Sequence, residues 1–145
     1  MMTTAQRRLL RVAAQVVSNS RMCLLTTIGL DGYPRSRFMG TFVTGQRWVV
    51  FLVCLADSNK ISQIRRRRRT QLTFWVDDYH AVVSLSGEAE LVKDIKVRRR
   101  IYKRTAPLQL FPEFNNTFAV IRFTASYLEY LNPRVSEESV KARVR

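Results

Sequence analysis

Histidine is almost absent from this chain, which has one, His80, in 145 residues. The sequence therefore offers a single general acid or base of near-neutral pKa. His80 stands at a predicted strand start beside Asp78, with no nucleophile or carboxylate constellation around it, and reads as a surface turn residue. Cysteine is nearly as scarce. Cys23 and Cys54 are too few for a disulfide framework and lack metal-ligand spacing, so they read as small buried hydrophobes and no metal site is expected. Redox chemistry would need a borrowed cofactor. The longest apolar stretch, residues 48–56, is far short of the roughly 20 residues of a membrane-spanning helix, and its β-branched and aromatic content suits a buried strand. Neither GxGxxG nor GxxxxGK[ST] occurs, so a nucleotide-like ligand would have to be held by another device. Acid is in short supply as well. Eleven Asp and Glu against 25 Lys and Arg leave a formal charge of +14, a field that attracts phosphates, nucleic acids or acidic membranes without choosing among them.

The length is that of one domain, expected to span 1–145 with a first helix over 1–19 and a charged tail over 133–145. Thr3 or Thr4 can cap that helix. Leu9, Leu10, Ala13, Val16 and Val17 line one face, and Arg7, Arg8, Arg11 and Gln15 the other. Its arginines accompany no continuous apolar segment or small-residue cleavage site, so a cytoplasmic protein is expected. Residues 22–28 turn β-prone, and Asp31-Gly32 makes a tight turn into a second strand over 33–43. Residues 48–54 form a third. A helix starts near Ser58, carries Ile61 and Ile64 inward and ends in an arginine run. Residues 72–76 and 81–92 read as two strands joined by a turn at Asp77 and Asp78. Asp94 caps a basic helix to about Arg104, and two more strands follow at 118–123 and 127–131. The tail lacks apolar periodicity and is expected to fray. Six or seven hairpin-linked strands with inserted helices predict a mainly β fold with α additions, an antiparallel barrel and not a Rossmann fold.

Side chains alternate along a strand, so Arg35, Arg37 and Met39 share one face and Ser36, Phe38 and Gly40 the other. Ser58-Asn59-Lys60 opens a helix, where free N–H groups and the dipole favour an anion and Lys60 adds a point charge. Strand arginines and this helix start make a phosphate clamp, although on spacing alone short Ser-x-Lys motifs at helix starts are usually plain caps.

The order of the short blocks carries more. Cys23-Leu-Leu-Thr-Thr, Asp31-Gly-Tyr-Pro-Arg-Ser-Arg-Phe-Met, residues 48–51, Ser58-Asn-Lys-Ile-Ser-Gln-Ile, Gln71-Leu-Thr-Phe and Leu85-Ser-Gly-Glu-Ala-Glu-Leu follow one another. Over about residues 20–131 this set resembles the pyridoxamine 5′-phosphate oxidase-like superfamily, and within it the general stress protein group of FMN-binding split barrels. The resemblance implies a six- to seven-stranded split barrel, a homodimer with FMN at the subunit interface, and a flavin-dependent oxidoreductase working with a small-molecule redox partner. It implies that Arg37 and Lys60 hold the FMN phosphate, that Ser36 and Ser58 are hydroxyl donors beside them, and that the backbone of Val53, Cys54 and Leu55 lies along the isoalloxazine. Arg35 either assists the phosphate or pairs elsewhere. No catalytic side chain is implied. Phe42 falls where true pyridoxamine 5′-phosphate oxidases carry a substrate-binding lysine, and their Arg-Leu-rich C-terminal segment has no counterpart. Specific oxidation of pyridoxamine phosphate is therefore not expected.

Other occupants and other roles stay open at this point. The cofactor could be a deazaflavin, and FMN could be stored or sensed without catalysis. Arg65, Arg66, Arg67, Arg68 and Arg69 replace the usual Asn-Pro turn of the superfamily; they either complement a helix dipole as a solvated run or, with residues 98–100, bind nucleic acid in a non-enzymatic module. Phe74, Trp75 and Tyr79 read as core or dimer-interface aromatics, and Glu88 and Glu90 as an exposed strand face.

Overall fold

The computed structural model describes residues 1–76, 81–134 and 139–145. Helix α1 (Thr4–Asn19) begins at a capping box in which the Thr3 hydroxyl accepts from the Gln6 amide and the Gln6 side chain accepts from Thr3 N–H. It buries Leu10, Ala13 and Val17. Strands β1 (Met22–Ile28), β2 (Pro34–Phe42) and β3 (Val49–Leu55) follow, then α2 (Asn59–Arg66), β4 (Arg69–Val76), β5 (Ala81–Leu91), α3 (Ile95–Thr105), β6 (Phe118–Leu131) and β7 (Val140–Arg143). All pairings are antiparallel. The order β3-β2-β1-β4-β5-β6, closed by β3 against β6, makes a six-stranded barrel, and β7 adds to the far edge of β6.

The barrel interior holds Cys23, Leu25, Leu52, Cys54, Leu72, Phe74, Leu85, Ile121 and Phe123, all buried. A second core lies outside β3 and β6. There Phe51, Val53, Phe118 and Val120 meet Ile101 of α3. Strand β3 is thus covered on both faces, which is why it reads as an unbroken apolar run instead of an alternating one. Asp94 caps α3 as expected, accepting from the Lys96 and Val97 amides.

Three expectations are corrected. The strands expected at 118–123 and 127–131 are one, because β6 absorbs a bulge in mid-ladder: Gly87 faces Ala125 and Ser86 faces Tyr127, leaving Ser126 extra. The tail does not simply fray. Residues 140–143 pair with residues 127–130, and Ala142 and Val144 pack on the barrel core, a stretch too short for periodicity to show. The arginine run is not all helix terminus either, since Arg67 caps α2 and Arg69 opens β4. Glu88 and Glu90 do form an exposed ionic face, with Arg68 and Arg122 at 3.2–3.8 Å. Phe74 is core, while Trp75 remains 41% exposed and meets Phe38 edge-on at 5.8 Å. The turn expected at Asp77 and Asp78, with Tyr79 and His80, lies outside the described residues.

Candidate functional site

The barrel is split between β2 and β3. Strand β1 pairs with β2 over seven residues, from Met22 opposite Gly40 to Ile28 opposite Pro34, but β2 pairs with β3 only at Thr41–Leu52 and Phe42–Phe51. Beyond Leu52 the strands diverge, so Val53, Cys54 and Leu55 have ladder partners only on the β6 side, at Val120, Ala119 and Phe118. Helix α2 starts at the mouth of this gap.

Arg37 lies on the inward face of β2, two residues from buried Met39. Its Nη1 donates to the Thr27 hydroxyl at 2.7 Å and, at 3.4 Å, to the Leu25 carbonyl; its Nη2 donates to Gln63 Oε1 at 3.1 Å. Thr27 in turn donates to the same Gln63 oxygen at 2.6 Å. Strands β1 and β2 are thereby tied to α2. Every acceptor in this network is neutral, so the guanidinium charge is not cancelled by its partners. Burial lowers the pKa of Arg37 from its ordinary value, the direction expected when a charge is drawn out of water. Of five N–H donors on a guanidinium, three are engaged here and two remain for an anion.

Lys60 is half-buried in the first turn of α2, and Gln63 follows it by three residues, so the helix presents Lys60 and the partner of Arg37 on neighbouring positions of one side. The Lys60 charge reaches the end of β3. Burial raises the pKa of the Cys54 thiol, while a hydrogen bond with Ser58 and the positive charge of Lys60 oppose that rise. Ser58 occupies the N-cap without a side-chain cap bond; its hydroxyl donates to the Leu55 carbonyl at 2.8 Å. The side chains of Val53 and Cys54 are buried, and Leu55 is 53% exposed.

The other two expected residues are engaged elsewhere. Arg35 is exposed and paired with Asp31 at 2.6 Å, on one wall of a depression of about 330 Å³ that Asn59, Ser62 and Gln63 also line. Its charge is already matched. Ser36 points to the opposite face from Arg37, where its hydroxyl meets that of Thr26 at 2.7 Å. A larger cavity of about 750 Å³ lies on that outer face, lined by Thr26, Gln71, Ser86, Tyr127, Arg69 and Arg143. Arg37 is thus tied to α2 through Gln63, and Ser58 and Lys60 at the start of that helix act on Leu55 and Cys54, while Arg35 shares a depression with Asn59 and Gln63 but is paired to Asp31, and Ser36 faces the other way. Sequence reasoning missed Thr27 and Gln63, which fix Arg37. The one available signal was that Gln63 follows Lys60 by a helical turn.

A sequence profile of the pyridoxamine 5′-phosphate oxidase family matches residues 9–132. The chain belongs to the pyridoxamine 5′-phosphate oxidase family. No curated protein matches the sequence. Among solved structures the chain is similar to a protein related to general stress protein 26 from Clostridium acetobutylicum, with a TM-score of 0.78 and 17% identity over 94% of this chain and 95% of that one. General stress protein 26 from Bacillus anthracis gives 0.75 and 17%, covering 94% and 99%. A pyridoxamine 5′-phosphate oxidase-related, FMN binding protein from Nostoc punctiforme gives 0.71 and 13%, covering 98% and 96%. At such identities these likenesses establish the barrel fold that the family shares. Among the described residues no helix is long and apolar enough to cross a membrane, and no cluster of three potential metal ligands occurs.

Proposed function

We propose that this chain is an FMN-binding flavoprotein that acts as an oxidoreductase in the form of a homodimer. One observation carries the reading: the half-buried Arg37 guanidinium, held by neutral acceptors only, stands at the split of the barrel and is bonded to α2, whose first turn carries Lys60. A charge drawn partly out of water without a counter-ion is costly unless a ligand supplies one. Two free donors on Arg37 and the Lys60 ammonium suit a phosphate. The donor set therefore fits the phosphate end of FMN, and the diverging edge of residues 53–55, with exposed Leu55, offers backbone to a planar ring. The Nostoc relative named FMN binding supports the same choice.

When bound, FMN supplies the electron-transfer chemistry. The chain's own residues bind and orient it: Thr27 and Gln63 fix the Arg37 rotamer, and the neutral Cys54 thiol keeps the floor of the split apolar. A partner subunit would cover Met22, Phe38 and Trp75, apolar side chains of β1, β2 and β4 left exposed at 41–63%.

The test is an absorbance spectrum of purified protein incubated with FMN and then desalted. A retained flavin spectrum near one FMN per subunit is expected, with loss of retention in Arg37→Ala/Lys60→Ala. No retention, or retention of a deazaflavin alone, would overturn the FMN assignment. Light scattering tests the dimer, which Phe38→Glu should disperse. Photoreduction of the bound flavin, followed by reoxidation with added acceptors, tests the activity.

A further inference from the structure

A second cationic cleft lies away from the split, between α1 and the connection from β2 to β3. Its volume is about 350 Å³, and Arg11, Gln15, Gln46, Arg47 and Trp48 are among its lining. Both arginines are exposed, and among the described residues neither guanidinium makes an ion pair or a hydrogen bond. This sets them apart from Arg35, matched by Asp31, Arg68, matched by Glu88 and Glu90, and Arg104, which donates to the Val43 carbonyl. Among the described residues no acid lines the cleft. Two unmatched guanidinium groups on one small concavity favour an oxyanion, which each can bind through paired N–H donors.

The inner wall has a different character. Ala14, Val17, Val43 and Val49 supply apolar surface, and Trp48 packs partly against the barrel core. Trp48 also holds a backbone conformation that a bulky residue rarely adopts, with φ of +67°. That strain is sustained by its neighbours: the Trp48 carbonyl accepts from the Ala125 amide at 2.9 Å, and Val49 N–H bonds the Gln46 carbonyl at 3.3 Å. The strained connection places the indole and Arg47 on one cleft, the kind of place where strained backbone accompanies a binding role.

We infer that this cleft binds a small organic oxyanion, a carboxylate or phosphate carried on a short ring-bearing body, with Arg11 and Arg47 taking the anion and Trp48 lying along the body. Such a ligand would tie α1 to the β2–β3 connection. The site shares no residue with Arg37 or Lys60, so the inference stands independently of the flavin reading.

Trp48 and Trp75 are the only tryptophans, so Trp75→Phe leaves Trp48 as a built-in reporter. Phenyl phosphate, benzoate and inorganic phosphate are titrated against Trp48 emission. Saturable quenching of Trp48 by phenyl phosphate or benzoate is expected, weakened about tenfold or more in Arg11→Gln/Arg47→Gln. Preference for phenyl phosphate assigns phosphate esters to the cleft, and preference for benzoate assigns carboxylates; either supports the inference. It is overturned if no ring-bearing anion binds saturably, if the double variant binds as well as the parent, or if inorganic phosphate binds as tightly as the organic anions, which would reduce the effect to attraction by net charge.

Discussion

The two halves of this barrel are built to different standards. On the closed side β4, β5 and β6 share long ladders, with Arg69 to Val76 paired to β5 throughout and β5 paired to β6 from Val82–Leu131 to Leu91–Ile121. On the split side β2 and β3 share two register pairs. The closed half buries alternate side chains at Ala81, Val83 and Leu85 of β5 and places its charges outside as the Arg68–Glu88–Glu90–Arg122 group. The split half draws an arginine inward and meets it with neutral oxygens. A barrel that is complete on one side can leave backbone unpaired on the other, and the unpaired side is where a ligand has something to bind.

The comparison breaks most severely at Gly87. A Cβ there would lie 2.1 Å from the Thr124 carbonyl oxygen and 2.8 Å from Ala125 Cα, so strand β6 itself would have to move. Gly87→Ala is expected to cost about 3 kcal/mol or more, at the upper range of overpacking, and urea unfolding would measure it. A cost under about 1 kcal/mol would mean that the closed side yields as readily as the split.

The two thiols sharpen the same contrast through pH. Burial pushes Cys23, on the inner face of β1, up to about 12 from its ordinary 9.0. Below pH 9 the thiol is protonated in folded and unfolded chains alike and its contribution is fully present. Between pH 9 and 12 only the unfolded chain ionises, so stability should fall by about 1.4 kcal/mol per pH unit from this group. Cys23→Ala should remove that component of the slope. Cys54 is also raised by burial, but Ser58 and Lys60 hold it back, so it should be alkylated by iodoacetamide before Cys23 as the pH rises. The reverse order would place the open edge at Cys23.

Legibility in the sequence follows the same division. Strand β1 was readable to the residue, because Cys23, Leu25 and Thr27 alternate inward with Leu24 and Thr26 between them. Residues 58–60 and the strand arginines pointed to the proposed clamp, since helix starts and alternation are local. What alternation could not say is which of two arginines on one face is spoken for. Asp31 lies four residues before Arg35 and takes it; Gln63, far along the chain, takes Arg37. The tail was misread for a related reason. Strand β7 gains its order from pairing with β6, a long-range partner that a four-residue stretch does not announce. Merging two predicted strands into β6 required knowing that Gly87 leaves room for a bulge at Ser126.

At the split itself, function and stability should come apart. Arg37→Met keeps the aliphatic stem and leaves Thr27 bonded to Gln63, so the fold should lose only about 1–2 kcal/mol. FMN retention should fall far more, because the anion loses its half-buried partner. Equal losses in stability and retention would make Arg37 a structural tie alone. The mildest change is the counterpart of the severest. Gly40 also sits in a strand, yet the nearest atom to a Cβ built there is the Arg21 carbonyl oxygen at 4.0 Å. Its φ is not positive, so an alanine meets no backbone strain. Gly40→Ala should therefore change unfolding free energy by no more than about 0.5 kcal/mol, and stabilisation is the favoured sign because the unfolded chain loses freedom. A loss as large as that at Gly87 would show that β2 is as tightly confined as β5, and the division of the barrel into a closed and a permissive half would fail.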